Sequence, residues 1–355
     1  MADDTLDVTP KKPGLRRRLQ NFVDDYLPRG NWFRFAGILF AIYAVIVVIL
    51  GFVWSVAPAE FDVKAETAER VPAGRSDVTG AVTTATLIGV VDTLLEKRGG
   101  FLYNDRMPPG LYLDNMPHWE YGVLIQSRDL GRAFREVLSR SQSQSKEDPD
   151  LALGEPRLNF QTDSWLLPPS ESEYRKGLKY FESYLARLVD PDQPDAQFYA
   201  RADNLREWLS MVNARLGSLS QRLVASVGQR RLNTDLAGEA GASQATATPS
   251  EMEVRTPWTE IDDVFYEARG SAWALIHFLR AAEIDFAEVL EKKNARVSLQ
   301  QIIRELEGTQ AVVWSPFILN GTGFGFLANH SLVMASYLAR ANAAIIDLRD
   351  LLAQG

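Results

Sequence analysis

Residues 261–289 read IDDVFYEARGSAWALIHFLRAAEIDFAEV. Ile261, Val264, Ala268, Ala272, Leu275, Leu279, Ala282, Phe286 and Val289 advance in steps of three or four. That spacing keeps one seam of an α-helix against a partner helix. Thr256 is placed to cap this helix and Pro257 to open it, because a first-turn residue needs no backbone N–H. A helix continuing to Asn294 would be roughly 57 Å long at about 1.5 Å per residue. Glu260, Asp262, Asp263 and Glu267 fall in its first turns, where carboxylates complement the helix dipole.

The same rhythm recurs on both sides. Leu205, Leu209, Val212, Leu216, Leu219 and Leu223 form one seam; Met334, Leu338, Ala341, Ile345, Leu348 and Leu352 form another. Shorter helices are expected over about 79–98, stopping at Gly99-Gly100, over about 119–141, and over about 170–189. Strand signals are sparse: residues 312–319 suit an extended segment, but Pro316 interrupts it. Residues 233–255 contain GEAGASQATATPSE, too small and polar to offset chain entropy by burial, and are expected to form a flexible loop. The fold expected is mainly α: a single N-terminal transmembrane helix followed by a bundle of long antiparallel helices.

The transmembrane helix is FAGILFAIYAVIVVILGFVWSVA, residues 35–57, without a charge. Its length covers the roughly 30 Å hydrocarbon core of a bilayer, and it provides the contact with membrane lipid. Trp32 and Trp54 lie near its ends, where indoles favour the headgroup layer. Lys11, Lys12, Arg16, Arg17, Arg18, Arg29 and Arg34 all precede it, and the next basic residue is Lys64. The positive-inside rule then sets residues 1–34 as a cytoplasmic basic tail and the C-terminal part across the membrane. Leu15 to Leu27 could form a short amphipathic helix, either at the headgroups or in solvent. Ala57-Pro58-Ala59 resembles a signal-peptidase site, so cleavage after Ala59 is the alternative to an anchor. The apolar run, however, exceeds the usual signal core of roughly 7–15 residues. Residues 58–77 read as a linker and 78–355 as the outer helical domain.

The chain has 38 basic and 46 acidic side chains, of which residues 1–34 hold seven and five. The remainder carries 31 against 41, a net charge of −10. An acidic body argues against nucleic-acid binding, which needs a clustered positive surface. There is no cysteine, so disulfides, thiolate metal sites and cysteine nucleophiles are excluded.

The segment Phe101 to Leu124 is FLYNDRMPPGLYLDNMPHWEYGVL. Its prolines suit a rigid loop, and its aromatic and carboxylate side chains suit recognition. Tyr112, Asp114, Asn115, Trp119, Glu120 and Tyr121 are the candidate binding residues. The alternatives are a structural loop with Trp119 packed on the bundle, or a hydrolase using Asp114 and Glu120 as acid and base. No catalytic residue, metal site or cofactor is assigned. His118, His277 and His330 lack metal-ligand spacing, and His277 reads as a packed helix residue. Asn320-Gly321-Thr322-Gly323-Phe324-Gly325-Phe326 matches no phosphate-binding fingerprint. It reads as a tight turn, with Asn329 or Ser331 capping the last helix.

Three stretches, LDNMPHWEYGVLIQSRD from Leu113, ALIHFLRAAEIDFAEVLEKKNA from Ala274 and NGTGFGFLANHSLVMASYLARANAAIIDLRDLL from Asn320, resemble a family of uncharacterised proteobacterial inner-membrane proteins, domain of unknown function 2333. The resemblance implies a bacterial inner membrane and a periplasmic C-terminal domain, and supplies no activity. A tail of about 34 residues is too short for a cytoplasmic output domain. The function expected is an interaction or scaffolding protein of the cell envelope, with an envelope protein or a second copy as partner. A cell-wall or glycan-acting hydrolase and a ligand-sensing domain working through a partner are the alternatives.

Overall fold

The computed structural model describes residues 32–141, 146–192, 195–232, 251–315, 317–321 and 325–354. They form two units, one ending at Val53 and the other running from Trp54 onward.

The described residues of the first unit lie in one helix, α1 (Trp32–Trp54), with 23 residues and no buried side chain, whose last residue belongs to the second unit. At about 1.5 Å per residue it extends roughly 34 Å. Among the described residues it is the one helix long and apolar enough to cross a membrane. Its ends are the two tryptophans expected to flank the span. The amphipathic segment expected at Leu15 to Leu27 lies outside the described residues.

The second unit contains α2 (Val63–Arg70), α3 (Ala81–Glu96), α4 (Asn115–Ala133), α5 (Pro149–Leu158), α6 (Ser170–Val189), α7 (Ala202–Val224), α8 (Ile261–Asp285), α9 (Ala287–Lys292), α10 (Arg296–Gly308) and α11 (His330–Ala353). Their apolar stripes share one core. The seams expected on α7 and α11 are buried throughout and face one another. Ser220 meets the Ala335 carbonyl at 3.4 Å, and seven residues away on each helix Asn213 meets Asn342 at 3.2 Å. That register is antiparallel.

The seam of α8 is also buried, but the helix does not reach Asn294. It breaks at Phe286, and α9 is a separate short helix. The Asp285 carboxylate at that end accepts the Gly80 and Thr83 amides at 2.9 and 2.6 Å and so caps the start of α3. At the other end the α-helix begins at Ile261 after a 3-10 turn at Trp258–Glu260, later than the Thr256–Pro257 cap expected. Thr256 instead donates its N–H to Ala225 at 3.0 Å.

The closest helix contact is between α4 and α8, and it requires glycine. A Cβ at Gly270 would stand 2.0 Å from the Trp119 carbonyl oxygen, and one at Gly122 would stand 2.1 Å from that of Glu267. Residues 58–77, expected as a linker, hold α2. Asp62 caps it, and Val63 and Thr67 are buried against the body. Of the loop expected at 233–255, residues 233–250 lie outside the described residues; a short antiparallel hairpin, β1 (Gln229–Leu232) with β2 (Glu251–Val254), brackets them.

Helix direction sorts the connections to two ends. At one end Trp54 lies against Gly99, His118 meets Asp263, Asn104 donates to the Ser164 carbonyl, and Asn320 donates to that of Ser226. Residues 97–114, 159–169, 225–232, 251–260, 309–315, 317–321 and 325–329 therefore gather at this Trp54 end. The opposite, Asp285 end gathers 71–80, 139–141, 146–148, 190–192, 195–201 and 286–295. There Phe198 bridges Phe134 and Phe286, with ring centroids 5.7 Å apart in each pair.

Candidate functional site

The segment expected to bind crosses the Trp54 end between α3 and α4. Its backbone needs acceptors for N–H groups that are turned inward. Glu120 supplies them, accepting Leu102 N–H at 2.9 Å through Oε1 and Tyr103 N–H at 2.8 Å through Oε2. The Lys97 ammonium pairs with the same carboxylate and also donates to the Gly100 carbonyl. Both side chains are buried. Burial pushes the Glu120 carboxyl up to about 7, against the opposing pull of Lys97 and the two amides.

Of the six residues expected to bind, Trp119 and Glu120 lie inside. Trp119 packs on Trp273 with ring centroids 5.2 Å apart. Asp114 is exposed and caps α4, accepting the Asn115 N–H at 2.9 Å. Asn115 is the first residue of the helix and half-buried. Tyr121 is half-buried and stacks on Tyr103 at 5.8 Å. Tyr112, in a 3-10 turn with Gly110 and Leu111, is 73% exposed. The structure thus brings Tyr112 and Asp114 to the surface and directs Glu120 into the core. A pair of carboxylates working on one bond must face one cleft; Asp114 and Glu120 face different surroundings.

Sequence reasoning missed two partners. Lys97 stands just before the Gly99-Gly100 turn and reads there as an ordinary helix end. His118 Nε2 lies 3.2 Å from Asp263 Oδ1, with Asp262 and Asp114 nearby. Burial raises the pKa of Asp262 and Asp263, and the neighbouring carboxylates add to the rise. Asp263 reads in sequence only as a first-turn carboxylate, and nothing local couples it to a histidine so far upstream. Among the described residues no group of three or more histidine or carboxylate side chains has the geometry to hold a metal ion.

His277 is a packed residue, as its helix position suggested, and it also has a specific partner. Its Nδ1 faces the Trp273 carbonyl at 2.7 Å, and its Nε2 accepts the Phe61 N–H at 3.1 Å. That pattern requires the neutral ring protonated on Nδ1. Burial lowers its pKa to about 4. The ring therefore fastens the stretch between Trp54 and α2 onto α8. In the glycine-rich segment, a Cβ at Gly321 would stand 2.0 Å from the Leu327 carbonyl. Asn329 caps α11 through the Leu332 N–H at 2.9 Å. Asn320 and Asn329 pair as an isolated antiparallel bridge; of the tight turn expected between them, residues 322–324 lie outside the described residues.

A family model described as an uncharacterized protein conserved in bacteria, domain of unknown function 2333, matches residues 27–355. No curated protein and no solved structure matches the chain. The chain belongs to that bacterial family.

Proposed function

We propose that this member of the family is a single-span anchored protein of the bacterial inner membrane whose body, residues 54–355, serves as a periplasmic interaction or scaffolding module. The observation that carries the reading is Glu120. The carboxylate that a hydrolase would share with Asp114 is buried and occupied by Leu102, Tyr103 and Lys97. What the segment offers to a partner is the exposed Tyr112 and the charged rim at Asp114. Anchoring is supported by α1 and by the seven basic residues that precede Phe35.

Crosslinking and affinity capture from native membranes test this reading, together with complementation of a deletion strain by Asp114→Asn. Specific capture of an envelope protein or of a second copy, with Asp114→Asn retaining function, is the expected result. Hydrolysis of peptidoglycan by the purified protein, abolished in Asp114→Asn, would refute it.

A further inference from the structure

The exposed apolar side chains of the body are distributed unevenly between its two ends. Each of the four connections at the Trp54 end presents at least one exposed aromatic. Tyr112 lies in the first, Trp165 in the second, Trp258 in the third, and Trp314 with Phe326 in the fourth. Trp258 and Trp314 are 82% and 91% exposed, so neither is a core residue with an edge showing. Leu111, Leu166 and Leu327 accompany them. Among the described residues, the connections at the Asp285 end expose no large apolar side chain. The other tryptophans of the helical bundle, Trp119, Trp208 and Trp273, are buried.

We propose that the Trp54 end of the body is a lipid-contacting face whose loop aromatics insert into the headgroup layer of the bilayer. Two observations favour lipid over a protein occupant. First, the apolar helix runs covalently into the body at Trp54, and Trp54 lies at this end, against Gly99. Trp54 is thus both the last residue of the apolar helix and a residue packed at this end of the body. Second, the aromatics come from four separate connections and are largely Trp and Tyr, the side chains that partition to the membrane interface. Attraction to anionic lipid is not the driving term. The hairpin and the segment beside Trp258 carry Arg230, Arg231 and Arg255 against Glu251, Glu253 and Glu260, with no net positive charge, so the contact is apolar insertion and should be indifferent to salt.

The inference rests on the anchored reading, and the test separates the two. The chain has no cysteine, so single substitutions give unique labelling positions. The full chain is reconstituted in phosphatidylcholine vesicles with an environment-sensitive fluorophore at Leu166→Cys, Trp314→Cys, Phe326→Cys, Asp77→Cys or Ile42→Cys. The expected result is a blue shift, with quenching by a headgroup-level lipid quencher, at positions 166, 314 and 326 but not at Asp77. High salt should leave it unchanged, and Ile42 should respond to an acyl-chain quencher. If Ile42 is quenched while the three loop labels behave like Asp77, the lipid face is refuted, the anchor stands, and the patch is left to a protein. An Ile42 label that escapes the acyl-chain quencher refutes the anchor, and the lipid face falls with it.

Discussion

Replacing Glu120 should destabilise the fold and change its response to pH. In Glu120→Ala the Leu102 and Tyr103 N–H groups lose their acceptor, and each buried unpaired donor costs about 1–3 kcal/mol. The expected loss is therefore about 2–6 kcal/mol. Glu120→Gln keeps one acceptor oxygen, so it should lose about half as much, roughly 1–3 kcal/mol. The pH response follows from the carboxyl being raised to about 7 from an ordinary value of 4.5. The folded state holds this proton more tightly than the unfolded chain. The stabilisation it gives is complete below pH 4.5 and disappears as pH rises through 7. At about 1.4 kcal/mol per pH unit, the wild type loses on the order of 3 kcal/mol through this group, and Glu120→Gln loses none. Urea unfolding of the full chain in detergent, followed by far-ultraviolet circular dichroism from pH 4.5 to 8, measures both effects. The reasoning fails if Glu120→Ala unfolds at the wild-type urea concentration. It also fails if wild type and Glu120→Gln run parallel in pH.

His277 should act in the opposite direction. Its folded pKa of about 4 lies below the ordinary 6.5, so its contribution is present above pH 6.5 and is lost as pH falls through 4. His277→Gln should flatten that acid limb in the same unfolding experiment. Gly122→Ala would force a methyl group to 2.1 Å from the Glu267 carbonyl. It should destabilise the body by about 1–3 kcal/mol or more, read as a lower unfolding midpoint; an unchanged midpoint would mean that α4 and α8 stand further apart. Alkaline phosphatase fused after Gly355 should be active in cells and inactive when fused after Gly30; activity in the reverse pattern would invert the proposed topology.

The helices were legible where one face is continuously apolar. The seams of α7, α8 and α11 obey a period that any interior helix must show, and α6 spans Ser170–Val189, the range expected for it. The start of α4 was missed because Pro117 looked like part of the preceding loop. A proline in the first turn forfeits no helical hydrogen bond, so the helix begins at Asn115. Once it does, Met116, Glu120, Val123 and Ser127 fall on one buried stripe. That stripe is the signal that could have placed Glu120 inside, and it is read only with the correct helix start. The break at Phe286 had no such signal. Apolar periodicity continues across it into α9, so the sequence pattern alone reads as one longer helix.

Glu120 and His277 use opposite protonation chemistry for the same structural task, fastening chain segments to the helical bundle. Glu120 holds the 101–114 connection through Leu102 and Tyr103, and His277 holds the stretch leading to α2 through Phe61. Between pH 4.5 and 6.5 the Glu120 contribution falls with rising pH while that of His277 grows. The two slopes have similar size because both groups are displaced by about the same amount, so they largely cancel in the intact chain. A flat wild-type profile in this window is therefore not a sign that neither group titrates abnormally. Removing one residue exposes the slope of the other, which is why the single variants carry the information. The consequence for function is mechanical. Mild acidification in this window strengthens the hold on the connection that carries Tyr112 and weakens the hold on the stretch leading to α2.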